Sequence, residues 1–173
     1  EIVFHLAAQS LVIDGYKSPL TTYETNVVGT ANVLEFARQS DSVVAVVNTT
    51  SDKCYQNFEQ LEGYREGDRL GGYDPYSNSK ACAELVSSCY QNLYKNHTDH
   101  KDIRLASVRA GNVIGGGDWS DSRIIPDAVK AWSSDQILSI RSPNATRPWQ
   151  HVLEPLSGYL TLGKYLLEND IYH

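Results

Sequence analysis

Apolar stretches alternate with helical patterns along the chain. Runs without regular polar alternation predict strands buried on both faces, and apolar residues at helical spacing predict helices. The predicted strands and helices are, in chain order, Ile2–Ala7, Tyr23–Gln39, Val43–Thr49, Pro75–Tyr94 and Ile103–Val113. Buried strands separated by long helices predict an α/β fold, a doubly wound parallel sheet with helices on both faces.

The pattern changes after Gly117. A short helix is predicted over Ile124–Trp132, a short strand over Ile137–Ile140, and a helix interrupted early by a proline over Val152–Leu167. These elements do not continue the strand–helix alternation. We therefore predict that residues 1–117 form the sheet domain and that residues 118–173 begin a smaller region that covers a substrate.

Composition limits the class of protein. With 173 residues and 41% hydrophobic residues the chain can bury one substantial core. It contains no methionine and opens on an apolar run that is typical of the middle of a strand, so we expect a piece of a longer protein. No apolar run is long enough to span a membrane, and a net charge of −6 argues against a nucleic acid partner.

Cysteine and histidine positions predict no metal site. Cys54, Cys82 and Cys89 are odd in number and lack metal-ligand spacing, so we expect reduced thiols in a cytoplasmic protein. His97 and His100 lie in a polar stretch that is typical of a solvated loop.

Polar or small residues follow each predicted strand. Ala7 and Ala8 follow the first strand, Ser51-Asp52-Lys53 the second, and Asn112 the third. In open α/β sheets, ligands bind outside the carboxyl ends of the strands. The sequence therefore predicts a binding site at this edge.

Tyr76 and Lys80 suggest what chemistry this site performs. They stand four residues apart in a helix that begins at Pro75, so both side chains share one face. A neighbouring ammonium group stabilises a phenolate and lowers its pKa. Such a tyrosine can take a proton from a sugar hydroxyl while hydride leaves the same carbon. The spacing alone favours an amphipathic helix whose tyrosine packs and whose lysine is solvated, and only its surroundings favour alcohol oxidation.

The phosphate-binding glycine fingerprints are absent. No Gly-x-Gly-x-x-Gly occurs, and Gly115-Gly116-Gly117 leads to Asp118-Trp119 rather than to the Lys-Ser/Thr of a nucleotide triphosphate loop. A dinucleotide fold carries its fingerprint in the first strand–helix turn. We expect that turn upstream of Glu1.

Several motifs resemble a known family. The segments His5–Gln9, Tyr23–Thr30 and Tyr76-x-x-x-Lys80 together resemble an extended short-chain dehydrogenase/reductase that acts on a nucleotide sugar. Thr50–Tyr55, Ala110–Trp119 and Arg147–Leu156 are similar to the branch of the family that dehydrates CDP-glucose. Lys53 favours this branch, because related enzymes for dTDP-glucose carry Glu there. The resemblance runs from Ile2 to about Leu162.

The resemblance implies a Rossmann-like fold without its first strands, an NAD cofactor, CDP-glucose as substrate and a homodimer in the full-length protein. The catalytic residues that it implies are Tyr76, Lys80, Ser51, Asp52 and Lys53. The implied cofactor contacts are Ala7, Ala8, Thr50, Tyr76, Lys80 and Asn112. The implied substrate contacts are Asn112, Arg123, Arg141 and Arg147.

The implied reaction oxidises the sugar at C4, removes water across C5–C6 and returns hydride to C6. Tyr76, Lys80 and Ser51 would serve the oxidation, Asp52 would protonate the leaving hydroxyl, and Lys53 would handle the C5 proton. Two alternatives stay open. The protein can be another nucleotide-sugar 4-epimerase or reductase of the same family, or the chain can be a non-catalytic binding or scaffold fragment.

Overall fold

The structure is a computed structural model that describes residues 1–96 and 102–168. Its strands are β1 (Ile2–His5), β2 (Ala45–Thr49), β3 (Arg104–Val108), β4 (Asn112–Ile114) and β5 (Trp149–His151). Its α-helices are α1 (Val12–Lys17), α2 (Pro19–Tyr23), α3 (Gly29–Gln39), α4 (Pro75–Asn96), α5 (Ile124–Ser133) and α6 (Leu153–Glu168). A π-helical segment, Glu24–Val28, joins α2 to α3.

A parallel sheet in the order β1-β2-β3 forms the centre of the fold. Phe4 pairs with Val47, and Val47 pairs with Ala106. Helices cover both faces of this sheet. One face packs against α3 and α4 through residues that include Leu34, Val46, Tyr94 and Ile103. The other face packs against α6 through Ala45, Val47, Tyr159 and Leu166. The predicted parallel sheet with helices on both faces, a Rossmann-like arrangement, is confirmed.

The predicted third strand is too long. β3 ends at Val108, and the chain then leaves the sheet and forms β4, which pairs in parallel with β5 in a separate two-stranded sheet. Gly111 lies between the two strands, and a Cβ on it would stand 2.5 Å from the Pro148 Cγ and 2.8 Å from the Pro148 carbonyl oxygen. Because glycine has no Cβ, the chain can pass this close to Pro148 where it leaves the first sheet for the second.

Two further local predictions are wrong. Ile137–Ile140 is irregular rather than a strand, and Ile137 is 97% exposed, so burial does not favour pairing there. Pro155 does not interrupt α6, which runs unbroken from Leu153. Pro155 stands in the first turn of that helix, where main-chain N–H groups have no acceptor within the helix. The N–H that proline lacks therefore costs no hydrogen bond there.

The predicted helix Tyr23–Gln39 is confirmed, but helical structure begins earlier, at Pro19. The division at Gly117 stays a prediction, although α6 belongs to the core on the second face of the main sheet. Within residues 1–96 and 102–168 no helix combines the length and the apolar character needed to cross a membrane. The prediction for His97 and His100 lies outside the described residues.

Candidate functional site

The segment after β2 is held at the carboxyl edge of the sheet. The Thr50 N–H donates to the Val108 carbonyl (2.8 Å), and the Asp52 N–H donates to the Ala110 carbonyl (3.1 Å). A single 3₁₀ turn follows over Asp52–Cys54. These main-chain bonds fix where Ser51, Asp52 and Lys53 leave the sheet. The structure therefore brings this predicted triplet to the edge at which ligands bind in such folds.

Helix α4 brings Tyr76 and Lys80 to the same edge. The helix begins at Pro75, and the Asp74 carboxylate accepts a hydrogen bond from the Ser77 N–H (3.0 Å). This contact satisfies one of the free N–H groups at the helix start. Tyr76 is 7% exposed and Lys80 is 6% exposed. The Lys80 Nζ donates to the Thr49 carbonyl at the end of β2 (3.2 Å), so the lysine links α4 to the sheet edge.

The expectation from sequence that the pKa of Tyr76 is lowered is wrong for the described residues. Burial raises the pKa of Tyr76 above its ordinary value of 10.0, while a hydrogen bond from Ser51 and the charge of Arg123 act in the opposite direction. The desolvation of a phenolate outweighs those contacts because water stabilises the anion strongly. Among the residues predicted to act with Tyr76, Ser51 is the one whose hydrogen bond lowers its pKa.

Burial also lowers the pKa of Lys80 to about 8, and the charge of Glu84 opposes this shift. The folded state therefore holds the Lys80 proton less tightly than the unfolded state, in which the ordinary value is 10.5. Unfolding takes up protons between pH 8 and about 10.5, so this group makes stability rise with pH across that window. Below pH 8 the charged, buried ammonium group destabilises the fold.

We expect Lys80→Met to stabilise the protein by about 2 kcal/mol at pH 7, because the variant no longer buries a charge. The gain should shrink towards zero above pH 10.5, where wild-type Lys80 is neutral in both states. Urea unfolding of both proteins at pH 7 and pH 10.5 measures it. Lys95→Met, at an exposed lysine of the same helix, is the control. An equal gain at both pH values would contradict the explanation.

The acid and base candidates for water loss lie beside Tyr76. The Ser51 hydroxyl donates to the Asp52 carboxylate (3.1 Å) and accepts from the main-chain N–H of Lys53 (3.2 Å). The Lys53 Nζ stands 5.9 Å from the centroid of the Tyr76 ring. Lys53 is exposed. The described residues therefore place its ammonium group next to the phenol but do not desolvate it.

Asn112 stands at the start of β4, and its N–H donates to the Pro148 carbonyl (3.1 Å). Its Oδ1 is buried and has no hydrogen-bond partner among the described residues. A buried amide oxygen without a partner is costly. A ligand at this edge would satisfy it, as the predicted contact to nicotinamide and sugar requires. Ala7 and Ala8 follow β1 at the same edge, where Ala8 is half-buried and Ala7 exposed.

The three predicted arginines differ in their positions. Arg123 is half-buried, pairs with Asp118 (2.9 Å), and donates to the Ser10 hydroxyl (3.2 Å). Its charge also acts on Tyr76, so it lies near the site. Arg141 and Arg147 are exposed. Arg141 donates to the Ser122 carbonyl (3.0 Å) and Arg147 to the Thr146 carbonyl (2.6 Å), and neither bond involves Tyr76.

Asn26 is a buried residue of the site region that the sequence reasoning missed. Its Nδ2 donates to the Ser79 hydroxyl and to the Gln9 carbonyl, each at 2.9 Å, and Ser79 in turn donates to the Tyr76 carbonyl (2.7 Å). Asn26 thus connects the loop after β1 to the first turn of α4. One signal was available: Asn26 precedes Thr30 and Leu34 at intervals of four on the buried helix face.

A parallel sheet covered on both faces, with a buried tyrosine and lysine at its carboxyl edge, defines a Rossmann-like nucleotide-binding domain. The chain belongs to the NAD dependent epimerase/dehydratase family, whose sequence profile matches residues 1–172.

Known relatives agree with this assignment. The chain is 55% identical over 168 residues to CDP-glucose 4,6-dehydratase of Salmonella typhimurium, covering 96% of this chain and 47% of that protein. It is 30% identical over 115 residues to UDP-glucose 4-epimerase of Mycolicibacterium smegmatis, covering 66% and 34%. It is also similar to the solved structure of a double mutant of dTDP-glucose 4,6-dehydratase from Streptomyces venezuelae with NAD bound. That match has a TM-score of 0.81 at 26% identity and covers 94% and 48%. The chain spans about half the length of the dehydratases that it matches.

Proposed function

We propose that the full-length protein containing this chain is an NAD-dependent dehydratase that converts CDP-glucose to CDP-4-dehydro-6-deoxyglucose and water. The observation that carries the proposal is the grouping of Tyr76, Ser51, Asp52 and Lys53 at one sheet edge. The 55% identity to a CDP-glucose 4,6-dehydratase supports the same substrate. Of these four residues, oxidation needs only Tyr76 and Ser51, whereas water loss also needs an acid and a base, Asp52 and Lys53.

NAD fits the described residues. The unpartnered Asn112 oxygen and the Lys80 ammonium group offer an acceptor and a donor at the carboxyl edge. Thr50, Ala7 and Ala8 follow strands at that edge. When bound, NAD supplies a reversible hydride acceptor for the sugar carbon C4. Those residues would hold and orient it.

Tyr76 takes the proton of the C4 hydroxyl in its phenolate form. A hydrogen bond with Ser51 lowers the pKa of Tyr76 and so favours that form, whereas burial opposes it. Lys80 is anchored on the Thr49 carbonyl, and below its pKa of about 8 its positive charge favours an anion at this edge. The rate of oxidation should therefore rise with pH as the phenol ionises.

The C4 ketone that results makes the C5 proton acidic. Lys53 removes this proton, and Asp52 in its carboxylic acid form protonates the hydroxyl that leaves C6. Lys53 then returns a proton to C5 as hydride is restored at C6, which gives the stated product. Both groups stand on one 3₁₀ turn beside the tyrosine, which suits two proton transfers at neighbouring carbons. Lys53 acts as a base only in its neutral amine form, which is favoured when solvent water is excluded from the side chain. Because the described residues leave Lys53 exposed, bound substrate has to exclude that water.

The test uses the full-length protein with CDP-glucose and, separately, with UDP-glucose and dTDP-glucose. Mass spectrometry should find the loss of one water from CDP-glucose, and NMR should find a methyl group at C6 and a ketone at C4. Inversion at C4 without water loss would show an epimerase and overturn the proposal. Dehydration of another nucleotide sugar in preference to CDP-glucose would overturn the substrate only.

Two features of the whole protein are also proposed. We infer a homodimer from the family resemblance, and size-exclusion chromatography with light scattering tests it. The predicted cytoplasmic location is consistent with the three free cysteines, Cys54, Cys82 and Cys89. Cell fractionation checks that location.

A further inference from the structure

A forked ion pair between Glu84 and Arg109 lies close to the Asp52–Cys54 turn, which carries the proposed acid and base. The Arg109 Nε and one terminal nitrogen each donate to a different Glu84 carboxylate oxygen at 2.8 Å. Glu84 is 7% exposed and Arg109 is 17% exposed at the side chain. Glu84 stands on α4 one turn after Lys80, and Arg109 follows β3 directly. The pair therefore ties the helix that carries Tyr76 to the edge of the sheet.

The pair also holds both ends of the turn that carries Asp52 and Lys53. On one side, the Thr50 hydroxyl donates to the Glu84 carboxylate. On the other side, Arg109 donates to the Tyr55 hydroxyl (2.8 Å), and its guanidinium group stands 4.8 Å from the Tyr55 ring centroid. The proposed acid and base are the residues between these two anchors.

Breaking one member of such a pair leaves the other charge buried without a partner, which loosens or distorts whatever it holds. A reacting group displaced by about 1 Å can lose about 100-fold in rate. Neither Glu84 nor Arg109 has a proton-transfer role in the proposed mechanism. Their contacts instead reach the residues on either side of the turn, Thr50 and Tyr55.

We propose that Glu84 and Arg109 are positioning residues that clamp the turn between Thr50 and Tyr55 and thereby set the acid and base of water loss against the sugar. This role deepens the proposed function and rests on it for its catalytic consequence. The clamp itself does not depend on the identity of the substrate. It can therefore be tested both with and without turnover.

The experiment uses the full-length protein with Glu84→Gln, Arg109→Lys, and the double variant. Hydrogen exchange read by mass spectrometry should speed up in peptides that cover residues 51–55, by about 10-fold in each single variant and no further in the double variant. With CDP-glucose, kcat should fall about 100-fold while KM changes less than about 3-fold. The double variant should lose no more kcat than the less active of the two single variants.

Glu35→Gln is the matched control, because Glu35 forms an equally forked pair with Arg38 on the surface of α3. It should change neither the exchange of residues 51–55 nor kcat. Tyr55→Phe removes one anchor and leaves the ion pair intact, so it covers the case in which the charge variants fail to fold. We expect faster exchange of the turn and about a 10-fold lower kcat in Tyr55→Phe.

Unchanged exchange of residues 51–55 in folded Glu84→Gln or Tyr55→Phe would overturn the clamp. So would additive losses of kcat in the double variant, or faster exchange spread evenly over the protein. If the wild-type protein dehydrates no nucleotide sugar, the proposed function fails, but the exchange measurement still decides the clamp. Normal wild-type dehydration with unaltered variants rejects the clamp alone.

Discussion

Tyr76→Phe is expected to lower kcat about 1000-fold in the full-length protein, because it removes the group that takes the C4 hydroxyl proton. The phenylalanine ring keeps the buried packing of Tyr76, which is 7% exposed. Substrate affinity should therefore stay close to that of the wild type. The measurement is product formation from CDP-glucose by NMR, together with calorimetry for binding.

The pH profile gives a sharper criterion. Burial raises the pKa of Tyr76, so the wild-type oxidation rate should increase with pH through the alkaline range. Tyr76→Phe should lose that increase along with the rate. Tyr73→Phe is the control, because Tyr73 is 85% exposed just before α4. Normal turnover by Tyr76→Phe would remove Tyr76 from the mechanism.

Lys53→Ala is expected to stop water loss while oxidation at C4 continues, because Lys53 is the proposed base at C5 and has no role at C4. A ketone that keeps its C6 hydroxyl should then form on the enzyme, in an amount limited to about one equivalent per site because hydride cannot return to C6. Rapid quenching followed by mass spectrometry distinguishes this ketone from the dehydrated product.

Isotope exchange separates the two steps. In heavy water the wild type should introduce deuterium at C5, and Lys53→Ala should not. Lys164→Ala is a suitable control, because Lys164 is an exposed lysine on α6 whose side chain pairs with Glu168 (3.7 Å). Full dehydration by Lys53→Ala would reject Lys53 as the base. The loss of oxidation together with dehydration would assign Lys53 to the first step instead.

The sequence predicted the sheet because its strands are apolar on both faces, and such runs are stable only between two layers of helices. It also predicted that residues after β2 and β3 meet at one edge, since parallel strands share their carboxyl ends. Prediction failed where a local pattern had no tertiary partner. Ile137–Ile140 has the composition of a strand, but Ile137 and Ile140 are exposed and the segment pairs with no strand among the described residues.

The sequence by itself determined the class of fold and the family, and it predicted Tyr76, Lys80 and Ser51-Asp52-Lys53 as site residues, because periodicity and short motifs record local structure and chemistry. Only the tertiary structure determined the balance of charge around them. Burial raises the pKa of Tyr76 and lowers that of Lys80. Glu84 and Arg109, 25 residues apart in sequence, meet close to the turn. Desolvation and long-range pairing depend on what packs around a side chain, and no local pattern specifies that.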